Sequence, residues 1–343
     1  MKYLPWMSVM LVASQSLMAC SDDSSDDTTT GGSSSASAGT TSKSGSAGQT
    51  ASAGATSAGG SASASAGATA DGGTAGAPAA GLKDIVDTAV AAGSFKQLAS
   101  ALTTAGLVDA LKGKGPFTVF APTDDAFDAF EAENPGVLAG LSKAELTAVL
   151  TYHVVSGAAV ESGALKDEQV FVTLNGSPVL IDTTGGVKVS DAEVTTADVK
   201  ASNGVIHVID KIILPPADDI VETAIAAGMF TKLAGALTAA DLVTTLKGDG
   251  PFTVFAPTDA AFGKLSAVPT GDALKDVLLY HVVSGAVGSG DLEAGSVSTL
   301  LDGKSLTVSL TGGVKINDAK VTSANIIAKN GVIHVVDTVL VPE

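Results

Sequence analysis

The stretch Pro116–Phe127 reads PFTVFAPTDDAF, and the stretch Pro251–Phe262 reads PFTVFAPTDAAF. The likeness extends well beyond these two stretches. Residues 84–127 align without gaps on residues 219–262, and 32 of the 44 positions are identical. Self-similarity of this kind is the signature of a repeated structural unit. The chain therefore carries one domain twice.

The two copies also agree further along the chain. Residues 152–157 and 280–285 both read YHVVSG. Near the end of each copy, NGVIHVID at 203–210 is matched by NGVIHVVD at 330–337. The repeated unit therefore spans about 130 residues, a normal length for a domain with one hydrophobic core.

These matches set the domain boundaries. We place the first repeat at residues 81–214 and the second repeat at residues 217–343. Pro215 and Pro216 stand between them. Because proline fits neither a helix interior nor a sheet ladder, this pair predicts a short and fairly stiff connector.

The composition of the 343 residues excludes one class of partner. The net charge is −17, and all 19 basic residues are lysine. Arginine is the usual side chain for bidentate contacts with phosphates and base edges, and an acidic chain is repelled by the nucleic-acid backbone. We therefore expect no nucleic-acid partner.

The N-terminus predicts secretion and lipidation. Residues 1–19 combine a charge at Lys2 with a short apolar run, which is typical of a signal peptide and too short to span a bilayer. The segment that ends at Cys20, the only cysteine, resembles the bacterial lipobox, in which the cysteine sulfur receives a diacylglycerol. The alternative is a signal peptide with an incidental cysteine. In lipoproteins of this kind Ser21 favours the outer membrane or cell surface, with the periplasm as the other location.

Residues 20–80 predict a disordered linker behind this anchor. They consist almost wholly of Ser, Ala, Gly and Thr, a composition that cannot bury a hydrophobic core. As a flexible coil the segment would reach roughly 40 to 50 Å. We expect it to act as a tether that holds the repeats away from a surface.

The first half of each repeat predicts helices around one strand. Asp84 stands three residues before Asp87, and Ser142 stands three residues before Glu145, which is the spacing of helix N-caps. The stretch PFTVFAP predicts a buried strand, and Thr123 after it predicts the cap of another helix.

The second half of each repeat changes to the period of strands. Asn175–Gly176 and Asp302–Gly303 lie between alternating apolar runs, which is the strongest short signal for a hairpin. Further strands are predicted at 179–181, 187–189, 194–199 and 205–209. Helices followed by strands indicate an α+β domain with segregated layers.

Three motifs occur in both repeats in this order: TVFAPTDxAF, Tyr-His and NGVIHVID, the last with Val336 in place of the isoleucine in the second repeat. In their order and separations they resemble the fasciclin domain, over nearly all of residues 81–343. The resemblance implies two tandem fasciclin domains, each a helical layer packed on a β-wedge or sandwich. It also implies a role in adhesion or matrix interaction, in a family that is not known as an enzyme class.

The motif residues with reactive or polar side chains are the candidate site. They are Thr123, Asp124, Tyr152, His153 and His207 in the first repeat, and Thr258, Asp259, Tyr280, His281 and His334 in the second. Histidines could act as bases or ligands, but the sequence has no H-E-x-x-H, no G-x-S-x-G and no phosphate loop beside them. We therefore predict structural roles, with no catalytic residue, no metal and no cofactor. We also expect each Tyr-His pair to hydrogen-bond the strand-to-helix corner, at Thr123–Asp124 or Thr258–Asp259.

A second candidate comes from the resemblance alone. In animal members of the family, integrin recognition is assigned to an Asp-Ile pair shortly before the last motif and to the Tyr-His region. The matching positions here are Asp198–Val199 and Asn325–Ile326. Neither repeat keeps the pair, so the resemblance does not carry integrin binding over, and we retain these positions as candidate partner contacts.

Together these observations predict a secreted, lipid-anchored and non-catalytic adhesion or interaction protein. Its expected partners are the membrane, through the lipid on Cys20, and a matrix component, polysaccharide or surface protein. We expect a monomer or weak self-association. The alternative is a carrier of a small apolar ligand such as a lipid or carotenoid, because some fasciclin-like proteins bind carotenoids.

Overall fold

The computed structural model describes residues 81–342, all of which belong to one compact unit. The predicted signal peptide (1–19), the predicted lipidation site Cys20 and the predicted linker (20–80) lie outside the described residues. Within residues 81–342, each repeat combines a group of helices with a sheet of seven strands. The predicted α+β class is therefore confirmed.

The helices of the first repeat begin where the sequence supplies caps. The Asp84 side chain accepts from the backbone N–H of Asp87, and Ser142 with Glu145 forms a complete capping box. These bonds satisfy donors that a helix start leaves free. Gly93 ends the first helix with φ 78°, a conformation that glycine adopts without steric cost. The helices are α1 (Ile85–Ala92), α2 (Lys96–Ala105), α3 (Val108–Leu111), α4 (Asp124–Glu133), α5 (Val137–Gly140) and α6 (Lys143–Tyr152).

The strands of the first repeat form one sheet. They are β1 (Phe117–Pro122), β2 (Val154–Ser156), β3 (Gln169–Val172), β4 (Pro178–Asp182), β5 (Lys188–Val189), β6 (Ala192–Ala201) and β7 (Gly204–Ile209). Their order across the sheet is β2-β1-β7-β6-β5-β4-β3. The antiparallel pair β3 and β4 is the hairpin predicted at Asn175–Gly176. A short 3₁₀ turn, Ser162–Ala164, precedes β3.

The second repeat has the same arrangement. Its helices are α7 (Ile220–Ala227), α8 (Thr231–Ala239), α9 (Val243–Leu246), α10 (Asp259–Phe262) and α11 (Asp272–Tyr280). Its strands are β8 (Phe252–Pro257), β9 (Val282–Ser284), β10 (Gly295–Ser298), β11 (Ser305–Ser309), β12 (Lys315–Ile316), β13 (Ala319–Ala328) and β14 (Gly331–Val336). The sheet order is β10-β11-β12-β13-β14-β8-β9, and a 3₁₀ turn, Ser289–Asp291, precedes β10.

Strand β1, which carries the repeated stretch, is buried on both faces. It pairs with β7 in parallel and with β2 in antiparallel orientation. Val119 and Ala121 face a hydrophobic cluster packed under the helices, whereas Phe120 faces a second cluster formed with other strands. The alternation in PFTVFAP therefore divides the strand between two cores. This explains why the stretch is apolar on both faces, although the chain places it between helices.

The long strand β6 connects the two halves of the sheet. Its pairing with β7 shifts register between Val194 and Thr196 and again between Thr196 and Val199. Such irregularities bend a strand and increase its twist. Strand β13 has equivalent shifts in the second repeat. The candidate position Asp198 lies within the second of these shifts, where regular pairing is interrupted.

Candidate functional site

The tyrosine of each Tyr-His pair joins the last helix to the sheet. Tyr152, at the end of α6, donates its hydroxyl to the carbonyl oxygen of Pro178 at 3.0 Å. Tyr280 donates to the carbonyl oxygen of Ser305 at 2.9 Å. Burial raises the pKa of the Tyr152 phenol to about 12. The predicted bond from the pair to the strand-to-helix corner is wrong, because both residues use their polar atoms elsewhere.

The histidine that follows is enclosed in the protein interior. His153 and His281 are 3% and 2% exposed. The Nδ1–H of His153 donates to the carbonyl oxygen of Val149 at 2.7 Å, and its Nε2 accepts from the N–H of Ile213 at 3.2 Å. One ring nitrogen must donate and the other must accept, so the imidazole is held neutral in one tautomer.

The second repeat holds its histidine in the same way. His281 donates from Nδ1 to the carbonyl oxygen of Val277 at 2.7 Å and accepts at Nε2 from the N–H of Leu340 at 2.9 Å. Burial lowers the pKa of both His153 and His281 to about 4. Protonation at neutral pH is therefore disfavoured, and neither ring has a nitrogen free for a metal or a substrate.

The histidines of the last strand are buried on the other side of the sheet. His207 is 0% exposed, stacks on Phe120 with 5.8 Å between ring centres, and donates from Nε2 to the carbonyl oxygen of Val160 at 2.8 Å. Its Nδ1 accepts from the N–H of Asp198 at 3.4 Å. His334 repeats these contacts, and burial lowers its pKa. These rings therefore fix the loop before the 3₁₀ turn and the irregular segment of the long strand.

The strand-to-helix corner serves the neighbouring helix. Thr123 caps α4 by accepting from the N–H of Ala126 at 3.2 Å. Helix α2 has no side-chain cap of its own, and Asp124 supplies one by accepting from the N–H of Gln97 at 2.8 Å. In this way a carboxylate from one helix satisfies a free donor at the start of another.

The corner of the second repeat is built alike. Thr258 caps α10, and Asp259 accepts from the hydroxyl of Thr231 at 2.6 Å and from the N–H of Lys232 at 2.7 Å. The bond from the Thr231 hydroxyl, followed by the bond from the Lys232 amide, lowers the pKa of Asp259. Asp124 and Asp259 are thus both occupied by the start of a neighbouring helix.

An asparagine that was not among the predicted site residues holds three distant backbone groups. Asn203 accepts at Oδ1 from the N–H of Ile85 at 2.9 Å, and its Nδ2 donates to the carbonyl oxygens of Leu111 and Gly113 at 2.8 and 3.0 Å. Asn330 makes the equivalent three bonds in the second repeat. The signal was available, because this asparagine opens the repeated NGVIH motif.

The remaining candidate position is a polar residue in an unusual backbone conformation. Asp198 and Asn325 have φ values of 62° and 59°, in the left-handed region that Asp and Asn tolerate better than most residues. Asp198 accepts from the N–H and the hydroxyl of Ser162 at 2.6 and 2.5 Å. Burial alone would raise the pKa of Asp198, but the bonds from Ser162 outweigh it and lower the pKa. Asn325 also holds Ser289, but it accepts from the N–H at 2.8 Å and donates from Nδ2 to the hydroxyl oxygen at 2.7 Å.

The apolar member of each candidate pair points inward. Val199 and Ile326 are half-buried and pack against the helical core of their own repeat. Of the four predicted contact positions, only Asp198 and Asn325 therefore lie at the 3₁₀ turns. In the first repeat this turn is flanked by the exposed ion pair between Lys200 and Glu161, 2.8 Å apart.

The structure does not bring the candidate residues into one pocket. Each repeat has a small apolar cavity under its helices, lined in the second repeat by residues such as Ile220, Leu233, Leu246 and His281. Its volume of about 20 Å³ is comparable with the space that one water molecule needs. In residues 81–342 no three His, Cys, Asp or Glu side chains are grouped closely enough to hold a metal ion, and no helix could cross a membrane.

The geometry therefore defines a chain with two scaffold domains of one type, whose repeated polar residues tie helices to a sheet. The family model described as Fasciclin domain matches residues 93–215 and 228–342. These two matches account for more than half of the chain. The protein belongs to the fasciclin family.

Relatives from animals and bacteria agree with this assignment. The chain is 32% identical to transforming growth factor-beta-induced protein ig-h3 of Sus scrofa over 244 residues, which is 68% of this chain but 36% of the relative. It is 46% identical to protein sll1483 of Synechocystis over 138 residues, 38% of this chain and 73% of the relative. A solved FAS1 domain pair from the insect cell adhesion molecule fasciclin I aligns with 73% of this chain and 98% of its own, at 18% identity and a TM-score of 0.33.

Proposed function

We propose that this chain is a lipid-anchored, non-catalytic adhesion or interaction protein that binds a matrix, glycan or protein partner through the surface of its repeats. The observation that carries the proposal is that the histidines of the repeated motifs form hydrogen bonds within the fold. Both ring nitrogens of each motif histidine form hydrogen bonds within the fold, at His153, His207, His281 and His334. Because these histidines are committed within the fold, a partner would be bound by the surface of the repeats rather than at a histidine site.

The anchor and the location are part of the same proposal. The lipid on Cys20 and the linker that follows would hold both repeats outside the cell or in the periplasm. The lipobox resemblance and the family's adhesion role support this reading. A tether suits a binding module, because it lets the module reach a partner that is not itself in the membrane.

The surface with the clearest features for a partner is the 3₁₀ turn of the first repeat. Glu161, Gly163 and Ala164 are exposed there, and Asp198 lies half-buried beneath them with an ordered carboxylate. Exposed backbone and a preorganised anion are suitable for recognising a donor-rich partner, such as a polysaccharide hydroxyl or a lysine side chain.

The test is a binding series with the chain in which Cys20→Ser prevents lipidation. We would measure its binding to purified matrix polysaccharide, to whole cells and to lipid vesicles. Saturable binding to polysaccharide or cells is expected, with weaker binding for Asp198→Asn. This variant keeps a side chain that tolerates positive φ and removes the charge. The control Asp125→Asn makes the same charge change on the exposed face of α4. Absence of binding to polysaccharide and cells would refute the adhesion proposal.

The carrier alternative rests on the apolar cavity that both repeats keep in the same place. At about 20 Å³ the cavity is far below the several hundred Å³ of typical ligand sites, so a lipid or carotenoid would have to part the helices that cover it. The vesicle binding measurement tests whether the repeats carry an apolar ligand. Any retained lipid or pigment would be extracted and identified by mass spectrometry. A stoichiometric apolar molecule would favour the carrier function.

A further inference from the structure

The two repeats touch through the 3₁₀ turn of the second repeat and the edge of the sheet of the first. The N–H of Gly290 donates to the carbonyl oxygen of Glu168 at 3.1 Å. The N–H of Val170, in edge strand β3, donates to the carboxylate of Asp291 at 2.9 Å. The hydroxyl of Ser289 donates to the carboxylate of Glu168. Backbone and side-chain bonds therefore run in both directions across this contact, and strand β13 of the second repeat also lies close to β4 of the first.

The glycines of this turn allow the approach. A Cβ at Gly288 would lie 2.4 Å from the carbonyl oxygen of Glu168, and a Cβ at Gly290 would lie 1.9 Å from that of Asp167. Real Cβ atoms do not come so close to backbone oxygen, so any larger residue would force the repeats apart. The second repeat is thus shaped to fit the first at these two positions.

The equivalent turn of the first repeat lacks this fit. Glu161 stands in place of Gly288 and is exposed, and Ala164 stands in place of Asp291. A Cβ added at Gly163, the counterpart of Gly290, would meet no atom of a more distant residue within 4 Å. The same structural element is therefore covered in one repeat and open in the other.

The connector leaves little freedom between the repeats. On its N-terminal side, the N–H of Ile213 is bonded to His153 in the first repeat. On its C-terminal side, the carbonyl oxygen of Asp218 accepts from Lys329 in the second repeat. The intervening segment, 214–217, includes two prolines, which restrict its backbone further.

From these contacts we infer that the turn Gly288–Asp291 is an intramolecular docking element that fixes the two repeats as one rigid body. The open counterpart, Glu161–Ala164 with Asp198, is then the only described copy of this turn that an outside partner can reach. A partner that recognises the turn binds once per chain, not twice. The docking of the two repeats does not depend on the identity of any partner.

Pulsed electron paramagnetic resonance tests the inference on the chain with Cys20→Ser. Spin labels at Asp109→Cys and Thr244→Cys report the distance between the repeats, because these exposed positions lie on the equivalent helices α3 and α9. We expect one narrow distance distribution. Gly290→Ala should broaden it, whereas the matched control Gly163→Ala should leave it narrow.

Either a broad distribution in the parent chain or an unchanged narrow one in Gly290→Ala overturns the inference. If Gly290→Ala loses its helical circular dichroism, Asp291→Ala takes its place, because alanine already occupies the equivalent position in the first repeat. In this variant the amide of Val170 should exchange its hydrogen about tenfold faster or more, since its acceptor is gone. An unchanged exchange rate and an unchanged distance distribution in Asp291→Ala would likewise contradict rigid docking by this turn.

Discussion

Replacing Asn330 by alanine tests how the helices are held on the sheet. The side chain is 6% exposed. It accepts from the N–H of Ile220 at 3.0 Å and donates to the carbonyl oxygens of Leu246 and Gly248 at 2.8 and 2.7 Å. One residue at the start of the last strand thus holds the beginning of α7 and the end of α9.

The size of the effect follows from these three bonds. A buried hydrogen bond contributes about 1 kcal/mol net, and a partner left unpaired costs a similar amount or more. We therefore expect Asn330→Ala to lower the free energy of unfolding by about 3 kcal/mol, out of the roughly 5 to 15 kcal/mol that is typical of a domain. Asn330→Asp should cost at least as much, because it keeps the acceptor for Ile220 but faces two carbonyl oxygens with a carboxylate.

Urea denaturation followed by far-ultraviolet circular dichroism measures the loss, and hydrogen exchange by mass spectrometry locates it in the second repeat. Lys329→Ala is the matched control. Its side chain is exposed, and the bond from its N–H to Asp218 is kept. A loss below about 1 kcal/mol for Asn330→Ala, or an equal loss in the control, would refute the role assigned to the asparagine.

Two further predictions concern glycines and pH. Gly331→Ala should destabilise the second repeat, because its Cβ would lie 2.0 Å from the Phe252 carbonyl oxygen. Gly235→Ala, at an open and exposed helical position, should instead raise the free energy of unfolding by about 0.5 to 1 kcal/mol. Urea denaturation of both variants measures these changes. Burial lowers the pKa of His153 and His281 from 6.5 to about 4, so between these values the unfolded chain binds more protons than the folded chain. Stability should therefore fall as the pH drops from about 6.5 to about 4, by up to about 3 kcal/mol for each of these two histidines. A urea series across this range measures the slope. His281→Gln should reduce the slope without abolishing it, because burial also lowers the pKa of His153 and His334; an unchanged slope would contradict the assignment.

The features that depend on neighbouring residues were predictable from the sequence. The cap at Asp84, the capping box of Ser142 and Glu145 and the hairpin at Asn175–Gly176 all occur where the local pattern placed them. Each of these is decided within a few residues, so the amino-acid pattern carries nearly all of the physical cause.

The contacts between distant segments were not predictable in the same way. The repeated motif identified His153 as a candidate site residue. Its partner Ile213 could not be predicted, because it lies 60 positions further along the chain. The predicted partner, Thr123–Asp124, was nearer in sequence and chemically suitable, yet it is occupied by helix starts. A repeated residue shows that a position matters to both copies, whereas its partner depends on how the strands are ordered in the sheet. That order, with β1 beside β7, does not follow from hydrophobic periodicity.

The two repeats share the hydrogen bonds that build the fold and differ at the surface of one turn. The asparagine, tyrosine and histidine residues bond to equivalent partners in both repeats, and each joins segments that are distant in the sequence of its own repeat. The 3₁₀ turn differs, with Glu161 in place of Gly288 and Asp198 in place of Asn325. A duplicated domain can change its surface without losing stability, because surface substitutions usually cost little. The divergence at this turn fits the division of roles that we propose, in which one copy of the turn holds the pair together and the other is left open to a partner.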